Sequence, residues 1–133
     1  MKHMVTTTAR GNKRGFIFWT PRILAVLFIG FIAIFALDVF SEDSTFSETI
    51  IALFVHLIPN YILIILLVIS SKWPMIGGGL HIALGIGYIV MIWNNFEWGA
   101  LIIAIALFVI GGLFIAQWAT DRVKELRSQS ITK

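Results

Sequence analysis

Residues 46–71 read FSETIIALFVHLIPNYILIILLVISS. As a helix rising 1.5 Å per residue this run is about 39 Å long, more than the roughly 30 Å of hydrocarbon in a bilayer, and nothing after Glu48 is charged. A second run of the same kind precedes it over 22–40 (RILAVLFIGFIAIFALDVF), and two follow over 74–93 (PMIGGGLHIALGIGYIVMIW) and 98–118 (WGALIIAIALFVIGGLFIAQW). The connections are short, so consecutive helices must run antiparallel. The expected fold is all-α, an integral membrane protein built as an antiparallel four-transmembrane-helix bundle, flanked by a basic, disordered arm over 1–21 and a tail over 119–133.

Composition leaves little room for another class. Of the 133 residues, 59% are hydrophobic and 13% charged, against about 25% charged in a typical soluble domain. A soluble core of this size cannot bury so much apolar surface. With no cysteine in the chain, disulfide frameworks, thiol catalysis and cysteine-ligated metals are excluded.

The charges are sorted by position. Lys2, Arg10, Lys13, Arg14 and Arg22 precede the first run, Lys72 separates the second from the third, and Arg122, Lys124, Arg127 and Lys133 follow the fourth. In the four-span reading all ten lie on one side. Asp38, Glu42, Asp43, Glu48 and Glu97 fall on the other side. Because Lys and Arg in short flanking segments stay cytoplasmic, the chain is expected in the cell (inner) membrane with both termini cytoplasmic. Tryptophan gives an independent reading, since its ring favours the headgroup level. Trp19, Trp73 and Trp118 fall at the basic boundary, Trp93 and Trp98 at the other, and none lies in mid-span. The first run is long and lacks a small-x-small cleavage site before Asp38, so it is read as retained rather than as a signal peptide.

Polar residues within the spans are the candidates for a site, because they are costly in lipid and face a bundle interior or a cavity. His56 and Asn60 share a face of the second span with Ala52, Leu63 and Ser70. Gly78, His81, Gly85 and Tyr88 form a stripe on the third. Asp38 and Glu48 stand near each other at the acidic end, where snorkelling to water, capping of span two or an outward cation site are the readings. His81 and His56 lie roughly 9 Å and 22 Å from the basic boundary, too different in height to hold one haem iron. Neither a cofactor nor a metal is expected. Gly79, Ala83 and Gly87 repeat at four-residue intervals nearly opposite His81, a small-residue stripe suited to close helix packing. If His81 faces inward, that stripe is left for a second copy, and a homo-oligomer or another membrane-protein partner is expected beside the lipid bilayer. No stripe of Arg and aromatic residues suggests nucleic acid.

The run FALDVF (35–40), ALFVHLIPNYILI in span two and GGGLHIALGIGYIVMIW in span three resemble an uncharacterised prokaryotic family of small four-span membrane proteins, catalogued as a domain of unknown function. The likeness covers roughly 22–118 and is most specific at 36–40 and at His56-Leu57-Ile58-Pro59. It implies a fold and no activity. The His81 position is ordinarily apolar in it, which makes Asp38 and His56 the residues to test first. With no nucleotide-binding loop, zinc motif or nucleophile elbow, the chain reads as a structural or accessory membrane protein and not an enzyme. The alternative is an oligomeric transporter or channel for protons, cations or a small molecule, its path lined by His56, Asn60 and Tyr61. Small multidrug exporters carry a carboxylate midway along their first helix, whereas Asp38 closes span one.

Overall fold

A computed structural model of the chain describes residues 13–41, 45–94 and 98–131. The helices are α1 (Lys13–Ala36), α2 (Phe46–Lys72), α3 (Pro74–Ile92) and α4 (Trp98–Ile131), with a 3-10 turn over Leu37–Ser41. All four are long and apolar enough to cross a membrane, and the described residues contain no strand. The expected all-α, four-span architecture is therefore present. Residues 1–12 of the expected arm, Glu42, Asp43 and Glu97 lie outside the described residues.

Two boundaries differ from the sequence reading. The first helix starts at Lys13, so 13–21, read as part of the arm, are helical and Pro21 lies inside α1. Proline removes one amide donor from a helix interior. On either side of the gap, side chains cover carbonyls: Thr20 Oγ1 donates to Phe16 O at 2.6 Å, and Arg22 donates to Phe18 O. Pro21 is itself fully buried, so packing holds the helix through it. At the other end of the chain, α4 runs to Ile131 without a break at Trp118. Its 34 residues measure about 51 Å, well beyond the hydrocarbon thickness.

The remaining ends follow local chemistry. Glu48, in the first turn of α2, accepts hydrogen bonds from Thr45 N–H (3.0 Å) and Thr45 Oγ1–H (2.6 Å), the carboxylate half of a capping box. Between α2 and α3 stands one residue, Trp73, outside the helical region at φ −129° and ψ 81°. The residue before a proline is pushed away from helical backbone by the ring. Pro74 then opens α3 at the first helical position, where its missing N–H is harmless.

The main contacts run from α1 to α2, α2 to α3, α3 to α4, and α4 back to α1. The helices thus close a four-membered ring. Burial within that ring is uneven. In α2 the buried residues are Asn60, Leu63, Leu66 and Ser70, all in its second half, and in α3 they are Gly77, Gly78, His81 and Gly85, with none beyond Gly85. On α4, burial begins at Ala104 and runs through Leu107, Ile110, Gly111 and Phe114 to Gln117. The core therefore sits toward the end that carries Arg22, Lys72 and the α4 overhang, here termed the basic end. Only 17% to 28% of each span is buried within the chain, so most of the apolar surface meets lipid or another chain.

Glycine closes the α3–α4 contact. A Cβ on Gly78 would stand 2.7 Å from Gly111 O, and one on Gly111 would stand 2.7 Å from Gly78 O. At Gly112 an added Cβ meets nothing within 4 Å. Gly111→Ala is expected to lower the unfolding midpoint in detergent, by about 1–3 kcal/mol of overpacking. Gly112→Ala should be neutral or stabilising by up to about 1 kcal/mol through helix propensity. Equal midpoints for the two variants would contradict this packing.

Candidate functional site

The polar groups gather at the basic end. Arg22, one turn after Phe18 in α1, donates from Nη1 to Gln117 Oε1 on α4 at 2.9 Å and from Nη2 to the Ser71 carbonyl on α2 at 3.2 Å. Its guanidinium lies 3.6 Å from the Phe18 ring centre and 5.6 Å from that of Phe114. One side chain therefore ties three helices together. The start of α1, the end of α2 and the far part of α4 meet at this level, which fixes the alternating directions of the helices.

His81 sits beside this cluster. It is 1% exposed, and its Nδ1–H donates to Gly77 O at 2.8 Å. Ser70 Oγ lies 3.4 Å from the same nitrogen and donates its own hydrogen bond to Leu66 O at 2.6 Å. The His81 and Phe114 ring centres are 5.9 Å apart, so Phe114, itself fully buried, lies against both His81 and Arg22. Gly77 makes the α2–α3 approach possible, since a Cβ there would overlap Ser70. The three consecutive glycines thus diverge: Gly77 meets α2, Gly78 meets α4, and Gly79 is exposed with nothing within 4 Å of an added Cβ.

The sequence groups His56 with Asn60, and the structure separates their surroundings. Asn60 is 4% exposed. With its amide nitrogen toward Ile29 O and its oxygen toward Ala33 N, each 3.2 Å away, it grips the backbone of α1. Such a bond supplies helix association in lipid, about 0.6 kcal/mol on average. His56, one turn nearer the acidic end, is exposed, and its Nδ1–H donates to Ala52 O at 2.9 Å. Of the two stripes expected to face inward, Leu63, Ser70, Gly78, His81 and Gly85 do so, while His56 stands at the edge. Tyr61 is also exposed. Asp38 is exposed in the 3-10 turn, and Glu48 caps α2.

His56 borders a crevice. Toward the acidic end the helices part, leaving an apolar space of about 270 Å³ among Phe28, Leu63, Leu84 and Leu107. A wider part of about 460 Å³ adjoins it among Phe35, Ala36, His56, Gly99 and Ala100. Ile32, Pro59, Tyr88 and Ile103 line both parts. The molecule is therefore locked at one end and open at the other.

Sequence reasoning misses Arg22 and Gln117 as partners. From the sequence, Arg22 reads only as a topology signal and Gln117 only as the end of a span. The available signal is that each is a strong hydrogen-bonding group at the same boundary level. Arg22→Met and Gln117→Leu should each destabilise the bundle in detergent, and in a double-mutant cycle the pair should couple by about 0.5–2 kcal/mol. Additive effects would show that the Arg22–Gln117 bond contributes nothing.

No curated protein and no solved structure matches the chain. Residues 8–127, most of its length, match the model described as a domain of unknown function, DUF7670, and the chain belongs to that family.

Proposed function

We propose that this is an accessory protein of the cell (inner) membrane that acts by associating with another membrane-embedded chain, in the simplest case a second copy of itself. The observation that carries the reading is the outer face of α3. Gly79, Ala83 and Gly87 are exposed there, and a Cβ added to Gly79 or Gly87 meets nothing within 4 Å. A glycine facing only lipid weakens its helix by about 1 kcal/mol relative to alanine and gains no packing contact in return. The same stripe opposite another helix allows close backbone approach, the arrangement that drives association where no hydrophobic effect operates between helices. The inward position of His81 supports this assignment, because it turns the stripe away from the bundle.

A transport path through His56, Asn60 and Tyr61 finds less support. Asn60 is occupied with the α1 backbone, His56 borders the crevice, and Tyr61 lines neither part of it. Association rather than conduction is the reading best served by this distribution.

Both termini are proposed to be cytoplasmic, supported by Arg22, Lys72, Arg122, Lys124 and Arg127 at one end of the bundle. A protease added outside intact cells should leave tags at either terminus uncut, and cleavage would reverse the orientation. For association, the wild-type mass in mild detergent should be a multiple of the 14.9 kDa chain, and Ala83→Leu with Gly87→Leu should reduce it to that of one chain. A monomeric wild type, or an unchanged mass in the double variant, would sink the self-association reading.

A further inference from the structure

The crevice at the acidic end carries two hydrogen-bonding groups that the fold leaves unused. Tyr88 lines both parts of it, is half-buried, and among the described residues its hydroxyl has no partner. His56 lines the wider part with Nδ1 engaged to Ala52 O. A carbonyl only accepts, so Nδ1 carries a proton, and Nε2 is the ring nitrogen left without a partner among the described residues. An unpaired polar group at this depth is costly, because hydrocarbon offers no hydrogen bonds.

The rest of the wall is apolar and arranged by depth. The narrow part lies toward mid-bundle, at Phe28 and Leu107, and the part holding His56 lies toward the acidic surface, with Ala36 and Gly99. From Ala36 to Phe28 along α1 is about 12 Å. A polar end near the surface with an apolar slot below it is the polarity of a single-chain amphiphile seated in one leaflet. The two free groups select its head. A carboxyl group shares one proton with an imidazole, its O–H donating to Nε2 or Nε2–H donating to the carboxylate, and in either form its second oxygen accepts from Tyr88. A phospholipid ester or a quinone carbonyl has no proton to share with Nε2.

We propose that the crevice between the parted helices is a binding site for a long-chain carboxylic acid, its head at His56 and Tyr88 and its chain running toward Leu107. The site opens to lipid at exposed His56, so the acid reaches it sideways from the bilayer. This proposal does not depend on association through α3.

The test uses the full-length protein in mild detergent and a diazirine-bearing analogue of hexadecanoic acid, with cross-linked peptides identified by mass spectrometry. Saturable labelling is expected at residues of α1, α2 or α4 that line the crevice, displaced by hexadecanoic acid at least about tenfold more effectively than by its methyl ester or by a phosphatidylcholine bearing the same chain. Tyr88→Phe and His56→Leu should each weaken the acid about tenfold and the ester little. Ala100→Phe, which fills the wider part, should abolish labelling while elution volume and helical circular dichroism stay unchanged. Equal displacement by acid and ester in the wild type would overturn the assignment of the head, and labelling spread over the lipid-facing surface or persisting in a folded Ala100→Phe variant would overturn the site. The acid and ester comparison needs no variant, so misfolding of a mutant leaves the proposal open to refutation.

Discussion

The Arg22 guanidinium is the group on which the arrangement of the helices turns. A cation at the edge of the hydrocarbon must be fully satisfied by protein, headgroup or water, and here its partners come from Gln117 on α4 and the Ser71 carbonyl on α2, with Phe18 and Phe114 against its plane. Those contacts bring three helix ends to one level. The fourth joins through His81, whose ring lies beside Phe114 and whose neighbour Ser70 belongs to α2. In lipid, apolar surface alone does not hold helices together, so hydrogen bonds and close backbone packing must do so. Both are concentrated at the basic end, together with the mutual fit of Gly78 and Gly111.

The consequence is a bundle with two different ends. Where polar and small residues occur, α2, α3 and α4 are buried against one another. Toward the acidic end the helices part around Ile32, Pro59, Tyr88 and Ile103. Asn60 holds α1 to α2 at the level of Ile29 and Ala33, between the narrow part of the crevice at Phe28 and Leu63 and the wider part at His56. His56, one turn further on, lies beyond the lock and keeps a ring nitrogen available. The same four-residue spacing thus gives one residue to the fold and leaves the other to a site, because the separation of the helices changes between them.

How much can be read in advance follows from the physics of each signal. The four spans are legible because length and the absence of charge are properties of a run, and a bilayer imposes them on each helix separately. Glu48 as a cap of α2 is also legible, since it acts through its immediate neighbour Thr45. The pairing of Arg22 with Gln117 is not, because it joins residues 95 positions apart and depends on which helices are adjacent in the ring. The start of α1 is misplaced for a local reason. The basic residues ahead of Arg22 read as a flanking arm, and only the burial of Pro21 shows why the helix extends back through them.

By itself, then, the sequence determined an all-α membrane protein with four spans of alternating direction, because hydrocarbon leaves a chain of this composition no other way to satisfy its backbone. It also determined which polar residues lie at which depth. The tertiary structure decided what each of them does: Asn60 bonds the α1 backbone, Ser70 and His81 bond carbonyls of their own helices where α2 meets α3, and His56 and Tyr88 border a space. That division depends on the distance between helices, which varies along the bundle with the size of side chains on facing surfaces, and no single span carries that information.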